Sequence, residues 1–231
     1  MKETDLLMST EKFWDLIKGI NKECGENPEL EIRWLKEKLE ELPPEQVAGF
    51  ICLFWSYREA ANKYGLWSAA IVMKQGCSIE EFMRFQAWLI SQGKDIYMEV
   101  LKNPDVLADI KVPKLSNFEE LSCVGNWVYM RMTGKGMDEA YFPDEIWKYR
   151  QEVEKQIEYH PLIGYPLEIK ELKFAFPKLC KRYNVQELMY QGKILWDPEH
   201  ERPDIRKLKA DGRWMIKEMK EQSMKDKAPV R

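Results

Sequence analysis

The chain has 231 residues, 45% of them hydrophobic and 32% charged, and its 36 basic and 39 acidic residues leave a net charge of −3 with a pI near 5.7. This much apolar material at this length excludes a wholly disordered chain, a small disulfide-stapled scaffold and a DNA binder that works through bulk positive charge. The five cysteines, Cys24, Cys52, Cys77, Cys123 and Cys180, are widely spread and form no C-x-x-C pair, and no leading apolar segment resembles a signal peptide. A reducing, cytoplasmic setting is the expectation. The longest apolar stretches, Phe50 to Trp55 and Gly65 to Met73, fall far short of the roughly 18 residues of a membrane span, so no membrane association is expected.

Met1 to Met8 lacks periodicity and reads as a disordered N-terminus, after which Ser9 or Thr10 can cap a helix with Phe13, Leu16, Ile17 and Ile20 on its apolar face. Asn27-Pro28 supplies a cap and a first-turn proline for a second amphipathic helix carrying Leu35, Leu39 and Leu42. Leu42-Pro43-Pro44 breaks it. The third helix runs from Glu45 to Tyr64, apolar nearly all round as a central helix would be, with Gly65 read as its C-terminal cap. Leu66 to Lys74 is short, apolar and closed by Gly76. Ser78 and Glu81 then have the spacing of a capping box for a helix that presents Phe82, Phe85 and Leu89 and stops at Gly93. Lys94 to Lys102 reads as one more helix and Asn103-Pro104 as the start of a short one.

The clearest periodic element follows, where Ser116 and Glu119 suggest a second capping box and Phe118, Leu121, Gly125, Val128 and Met132 mark one face. Gly134-Lys135-Gly136 and Pro143 punctuate a loop before a charged helix over about Asp144 to Glu158. His160 to Phe176 holds Pro161, Gly164 and Pro166 and reads as extended or looped, with Leu167 and Ile169 in a short strand. A short helix with Pro177 in its first turn is expected up to Tyr183. Residues 200 to 231 hold ten basic and six acidic residues, so this stretch is +4 while residues 1 to 199 are −7. The expected architecture is all-α: an irregular multi-helix bundle over residues 9 to 190, with at most one or two short strands, followed by a partly helical basic extension over 191 to 231.

Phe13-Trp14, Leu42-Pro43-Pro44-Glu45, Leu66-Trp67-Ser68-Ala69-Ala70, Gly76-Cys77-Ser78, Phe82, Phe85 and Ala87-Trp88-Leu89-Ile90-Ser91-Gln92-Gly93 together resemble the DUF4240 family. Val128-Tyr129 with Thr133-Gly134, and Phe176-Pro177-Lys178-Leu179 with Tyr183, extend the resemblance over about residues 8 to 183. It implies a fold and no established activity. The family pattern often places an aspartate before Leu-Trp, two acidic residues after Cys-Ser and an arginine before Ala-Trp. This chain has Gly65, Ile79 with Glu80, and Gln86 at those places.

Candidate chemistry is sparse. Cys77, between Gly76 and Ser78 at a helix start, is placed where backbone N–H groups favour a thiolate, but a nucleophile needs a base, and the two histidines, His160 and His200, are remote in sequence. Packing in a tight interhelical turn is the plainer account of Cys77. Glu80-Glu81, Asp138-Glu139 and Asp144-Glu145 are adjacent acids that point about 100° apart on a helix, and no zinc spacing occurs, so no metal and no cofactor are expected. Tyr57, Arg58 and Asn62, with Trp67, Ser78 and Trp88, form a candidate ligand or partner surface if the third helix and the next make a hairpin facing the Gly76-Cys77-Ser78 turn. Most of the nine tryptophans are expected to pack in the core, and Arg58 to cover apolar surface with its stem. In the basic segment Asp204, Asp211, Glu218 and Glu221 interrupt the positive face, which disfavours nucleic acid and favours an amphipathic helix docked on its own domain or a partner. The functional expectation is a non-catalytic protein-binding module. A hydrolase built on Cys77 or Glu80 near the Trp67 to Trp88 block is the rival, and a nucleic-acid accessory protein the third reading.

Overall fold

A computed structural model describes residues 8–25, 27–111, 118–136, 143–185 and 205–226. All regular structure among them is helical: α1 (Thr10–Cys24), α2 (Pro28–Glu40), α3 (Pro44–Ala60), α4 (Tyr64–Lys74), α5 (Ile79–Ser91), α6 (Lys94–Lys102), a 3-10 turn (Pro104–Ala108), α7 (Phe118–Thr133), α8 (Pro143–Gln156), α9 (Ile169–Ala175), α10 (Pro177–Arg182) and α11 (Ile205–Asp226). No helix among the described residues is long and apolar enough to cross a membrane. All five cysteines are thiols outside any disulfide. The chain divides into two compact units, the first formed by residues 1–62, 79–99 and 112–158, the second by 63–78, 100–111 and 159–231.

The first unit is built on α3, which packs against α1, α5, α7 and α8, while α1 also meets α2 and α5, and α2 meets α7. Its helices start where local chemistry allows. Ser9 accepts the Lys12 N–H at 3.2 Å, Asn27 accepts from Glu29 at 3.1 Å and from Leu30 at 3.3 Å, and prolines stand in the first turns of α2 and α3, where no N–H partner exists to lose. Met8 is not part of a disordered end: it is buried, and its carbonyl accepts the Tyr149 hydroxyl at 2.7 Å. The core is aromatic. Phe13 stacks on Tyr57 at 5.2 Å, and Trp14 lies 4.6 Å from the same ring and donates Nε1–H to its hydroxyl at 2.8 Å. Tyr97 sits edge-on to Tyr57 and donates to its carbonyl at 2.5 Å. On α7 Phe118, Leu121, Val124 and Val128 are buried as the periodicity requires, whereas Met132 in the last turn is exposed. The expected Ser116–Glu119 capping box lies outside the described side chains.

In the second unit α10 packs against the 3-10 turn, α9 and α4, and α4 meets the 3-10 turn. Gly65 corrects the expectation of a helix cap. The third helix ends at Ala60, and Gly65 lies in the first turn of α4, where its N–H meets the Ile163 carbonyl at 2.7 Å and a Cβ would come within 2.8 Å of the Ile163 Cα. The strand expected at Leu167 and Ile169 is absent too. Ile169 opens α9, because the Glu168 side chain caps the N3 position and Glu171 returns to the Glu168 N–H at 2.7 Å, two bonds that favour a helix start over a strand. Within this unit α11 rests Gly212 against Tyr165, with a Cβ there falling 2.9 Å from the Tyr165 Cβ, and buries Ile216. Arg213 reaches Glu168 at 3.8 Å and Lys220 lies 4.9 Å from the centre of the Phe174 ring.

Candidate functional site

The expected site residues fall on different units. Tyr57, Arg58, Asn62, Glu80 and Trp88 belong to the first, and Trp67, Cys77 and Ser78 to the second. Two of the proposed surface residues are interior: Tyr57 is fully buried, its phenol pushed up to about 12 by that burial, and Trp88 is 1% exposed. Neither presents anything to a ligand. Their aromatic bulk and helical spacing fit core and surface alike, and the packing decides for core.

In the second unit Trp67 is half-buried and donates Nε1–H to the Cys77 carbonyl at 3.0 Å, so it ties the Gly76-Cys77-Ser78 turn to α4. Gln75 in the left-handed region at φ 58° and Gly76 at φ 138° turn the chain. Cys77 is half-buried and Ser78 exposed immediately before α5. The polar machinery here lies elsewhere, around Asp105. That buried carboxylate accepts the Leu179 N–H at 2.8 Å and the Lys178 N–H at 3.1 Å, capping α10, while Arg182 donates back to the Ala108 carbonyl. His160 lies 5.5 Å from Phe176 and accepts the Leu162 N–H on Nδ1 at 3.2 Å. Burial lowers its pKa, opposed by the Asp105 charge. Burial pushes the Cys180 thiol up to about 11, with the Asp105 charge adding to the effect. A raised thiol pKa and a lowered imidazole pKa are the reverse of what activates a cysteine pair, and the bonds that the structure gives Asp105 hold α10 to the 3-10 turn. Among the described residues no group of three or more His, Cys, Asp or Glu side chains could hold a metal ion.

In the first unit the residue that retains a functional reading is Arg58, in the last turn of α3, where a cation suits the carbonyl end of the helix. Gln86, buried on α5, donates Nε2–H to the Arg58 carbonyl at 3.2 Å, and the charges that act on the guanidinium are those of Glu59 and, less, Cys123 of α7. Arg58 is half-buried, and burial lowers its pKa, opposed by the Glu59 and Cys123 charges. No hydrogen bond or ion pair of its guanidinium occurs among the described residues. Both α5 and α7 also expose large apolar side chains. Ile79 and Met83 on α5 are 44% and 42% exposed, and Trp127 and Met130 on α7 are 44% and 53% exposed. These four escape sequence reasoning because they sit on helices that also have strong core faces, and only the direction of each face distinguishes them. Asn62 is exposed beyond the end of α3, and Glu80 is exposed in the first turn of α5.

A family model described as "Protein of unknown function (DUF4240)" matches residues 8–131, more than half of the chain. The chain belongs to the DUF4240 family. The matched stretch holds α1 to α6 and all but the last two residues of α7, and therefore Arg58, Gln86, Ile79, Met83, Trp127 and Met130. No curated protein and no solved structure matches this DUF4240 chain. Two places where it differs from the resemblance described above have local physical reasons: Gly65 admits the Ile163 backbone, and Gln86 supplies the amide that binds the Arg58 carbonyl.

Proposed function

We propose that the chain is a non-catalytic module that binds another protein in the reducing cytoplasm. The observation that carries this reading is the exposure of three tryptophans on regular helices, Trp127 at 44%, Trp147 at 61% and Trp214 at 60%. Large aromatic side chains are costly to leave in water and are the commonest anchors of protein interfaces. The nucleic-acid alternative draws less support, because cations of α11 already have protein partners, Arg213 with Glu168, Lys217 with Glu221 at 3.9 Å and Lys220 with Phe174.

Native mass spectrometry of the protein purified from its own cells tests the proposal. A stoichiometric second polypeptide is the expected result. A bound metabolite together with a hydrolase activity lost in Cys77→Ala or Glu80→Gln would replace this reading with an enzymatic one, and salt-labile RNA or DNA would replace it with the third.

A further inference from the structure

Both oxygens of Glu168 are met by cations from different helices of the second unit. Lys170 of α9 lies 2.9 Å from Oε2, and Arg213 of α11 lies 3.8 Å from Oε1. Seven residues further along α11, Lys220 sits 4.9 Å from the centre of the Phe174 ring, which is four residues beyond Lys170 on α9. These two rungs, with Gly212 against Tyr165, lay α11 alongside residues 165 to 174. Lys209, Arg213, Lys217 and Lys220 stand at i, i+4, i+8 and i+11 and so share one stripe of α11, along the side that borders α9. With Lys170 they make five cations on one seam. Three carboxylates act on them: Glu168, Glu171, which is buried and bound to the Glu168 N–H, and Glu221, 3.9 Å from Lys217. The two other acids of the helix with described side chains, Asp211 and Glu218, fall about 130–150° around it from this stripe. The seam therefore keeps a surplus of positive charge, in a unit whose described residues are 16 basic and 8 acidic, net +8. Trp214, 60% exposed, stands one turn before Lys217 on the outer flank.

We infer that the seam of α9 and α11 receives an acidic helical segment of another protein, whose carboxylates meet Arg213, Lys217 and Lys220 and whose apolar side chain covers Trp214. The inference rests on the protein-binding reading above and names its surface and its partner chemistry. The positive unit draws such a segment in, and the Arg213 guanidinium offers a carboxylate two parallel donors. The present partners of Arg213 and Lys217 are long contacts between exposed side chains, a kind that contributes about 0–1 kcal/mol, so a partner's acids join or displace them at little cost. The same carboxylates select the class of occupant. A phosphate chain carries a charge at every step and is repelled wherever Glu168 or Glu221 stands between the cations, whereas a peptide sets neutral side chains opposite those two.

The probe is a display library of helical peptides with Glu or Gln at three positions of i, i+4, i+7 spacing and the flanking positions randomised, panned against the full-length protein. Enriched sequences should keep Glu at two or more of the three positions and an apolar residue beside them. Binding of the best sequence should weaken about tenfold on the double variant Arg213→Gln/Lys217→Gln, about 1.4 kcal/mol, and less strongly on Trp214→Ala. It should change by less than about twofold on Lys207→Gln, which removes an exposed cation about 120° around the helix from Arg213. All four changes fall at exposed positions, so the variants should keep the helical circular dichroism of the parent. Failure to enrich any peptide, enrichment of Gln at all three positions, or an equal loss on Lys207→Gln would overturn the inference. Tighter binding of a single-stranded RNA, or of vesicles of equal parts phosphatidylserine and phosphatidylcholine, lost in the same double variant, would overturn it in favour of a phosphate ligand. A natural partner that binds the double variant as it binds the parent would overturn this surface while leaving the protein-binding reading intact, and absence of any partner would defeat both.

Discussion

The two units are held together in different ways and carry opposite charge. Among the described residues the first holds 21 acidic and 14 basic, net −7, and closes its helices over a cluster of aromatic rings, whereas the second holds 16 basic and 8 acidic, net +8, joins short elements such as the 3-10 turn and α10 through polar clamps such as Asp105, and also contains the 22-residue α11. In the first, stability is spread over many apolar contacts, so loss of a core ring should cost far more than loss of a surface one. In the second, an apolar core that includes Leu66, Leu107, Leu162, Phe176 and Leu179 is supplemented by buried hydrogen bonds, each of which leaves two unsatisfied groups when broken.

The largest effect should separate the two tryptophans of the family block. Trp88→Ala in the first unit should cost roughly 3–5 kcal/mol in chemical denaturation, the range for a buried Trp, while half-buried Trp67 in the second should cost only about 1–3 kcal/mol, partly through its bond to the Cys77 carbonyl. Equal losses would show that the turn after α4 is as tightly packed as the aromatic core.

Next comes the clamp. Asp105→Asn keeps the shape but cannot offer an acceptor to both the Lys178 and Leu179 N–H groups, so a loss of about 1.5–3 kcal/mol is expected. Backbone hydrogen exchange should rise in α10 and leave α3 unchanged. Faster exchange in both would mean that the two units unfold as one.

Smaller effects come from titration, with opposite signs in the two units. His160 has a lowered pKa in the folded chain, so as the pH falls through about 6.5 the unfolded chain takes up a proton that the folded one refuses. Its contribution to stability is full above that value and falls until the pH reaches the lower folded pKa. Melting temperatures of the parent should therefore drop more than those of His160→Gln between neutral and mildly acidic pH. Glu31 in the first unit is buried with its pKa raised, so it lowers stability as the pH rises from about 4.5 to its folded value, and Glu31→Gln should melt higher than the parent at neutral pH.

The same contrast explains what could be read from the sequence. Helices of the first unit announce themselves through Asn27-Pro28 and the Phe118 to Val128 stripe, because their capping and burial are local and periodic. In the second unit Gly65 looked like a cap and Ile169 like a strand, since what decides them is the Ile163 backbone, distant in sequence, and a Glu168–Glu171 box hidden among prolines. Of the candidate site, Arg58 was legible as a polar residue near the family block. Tyr57 and Trp88 were not legible as core, because an aromatic at helical spacing serves either role until the neighbouring helices are placed. Ile79, Met83, Trp127 and Met130 could not be found at all from a pattern that marks only the buried face.

Hydroxyl-radical footprinting of the protein with its stoichiometric partner tests the account most directly, because the residues at issue, Trp127, Trp147 and Trp214, are among the side chains most reactive to the probe. One or more of these tryptophans, exposed at 44%, 61% and 60%, should lose reactivity in the complex. Unchanged reactivity of all three in a stoichiometric complex would contradict the account.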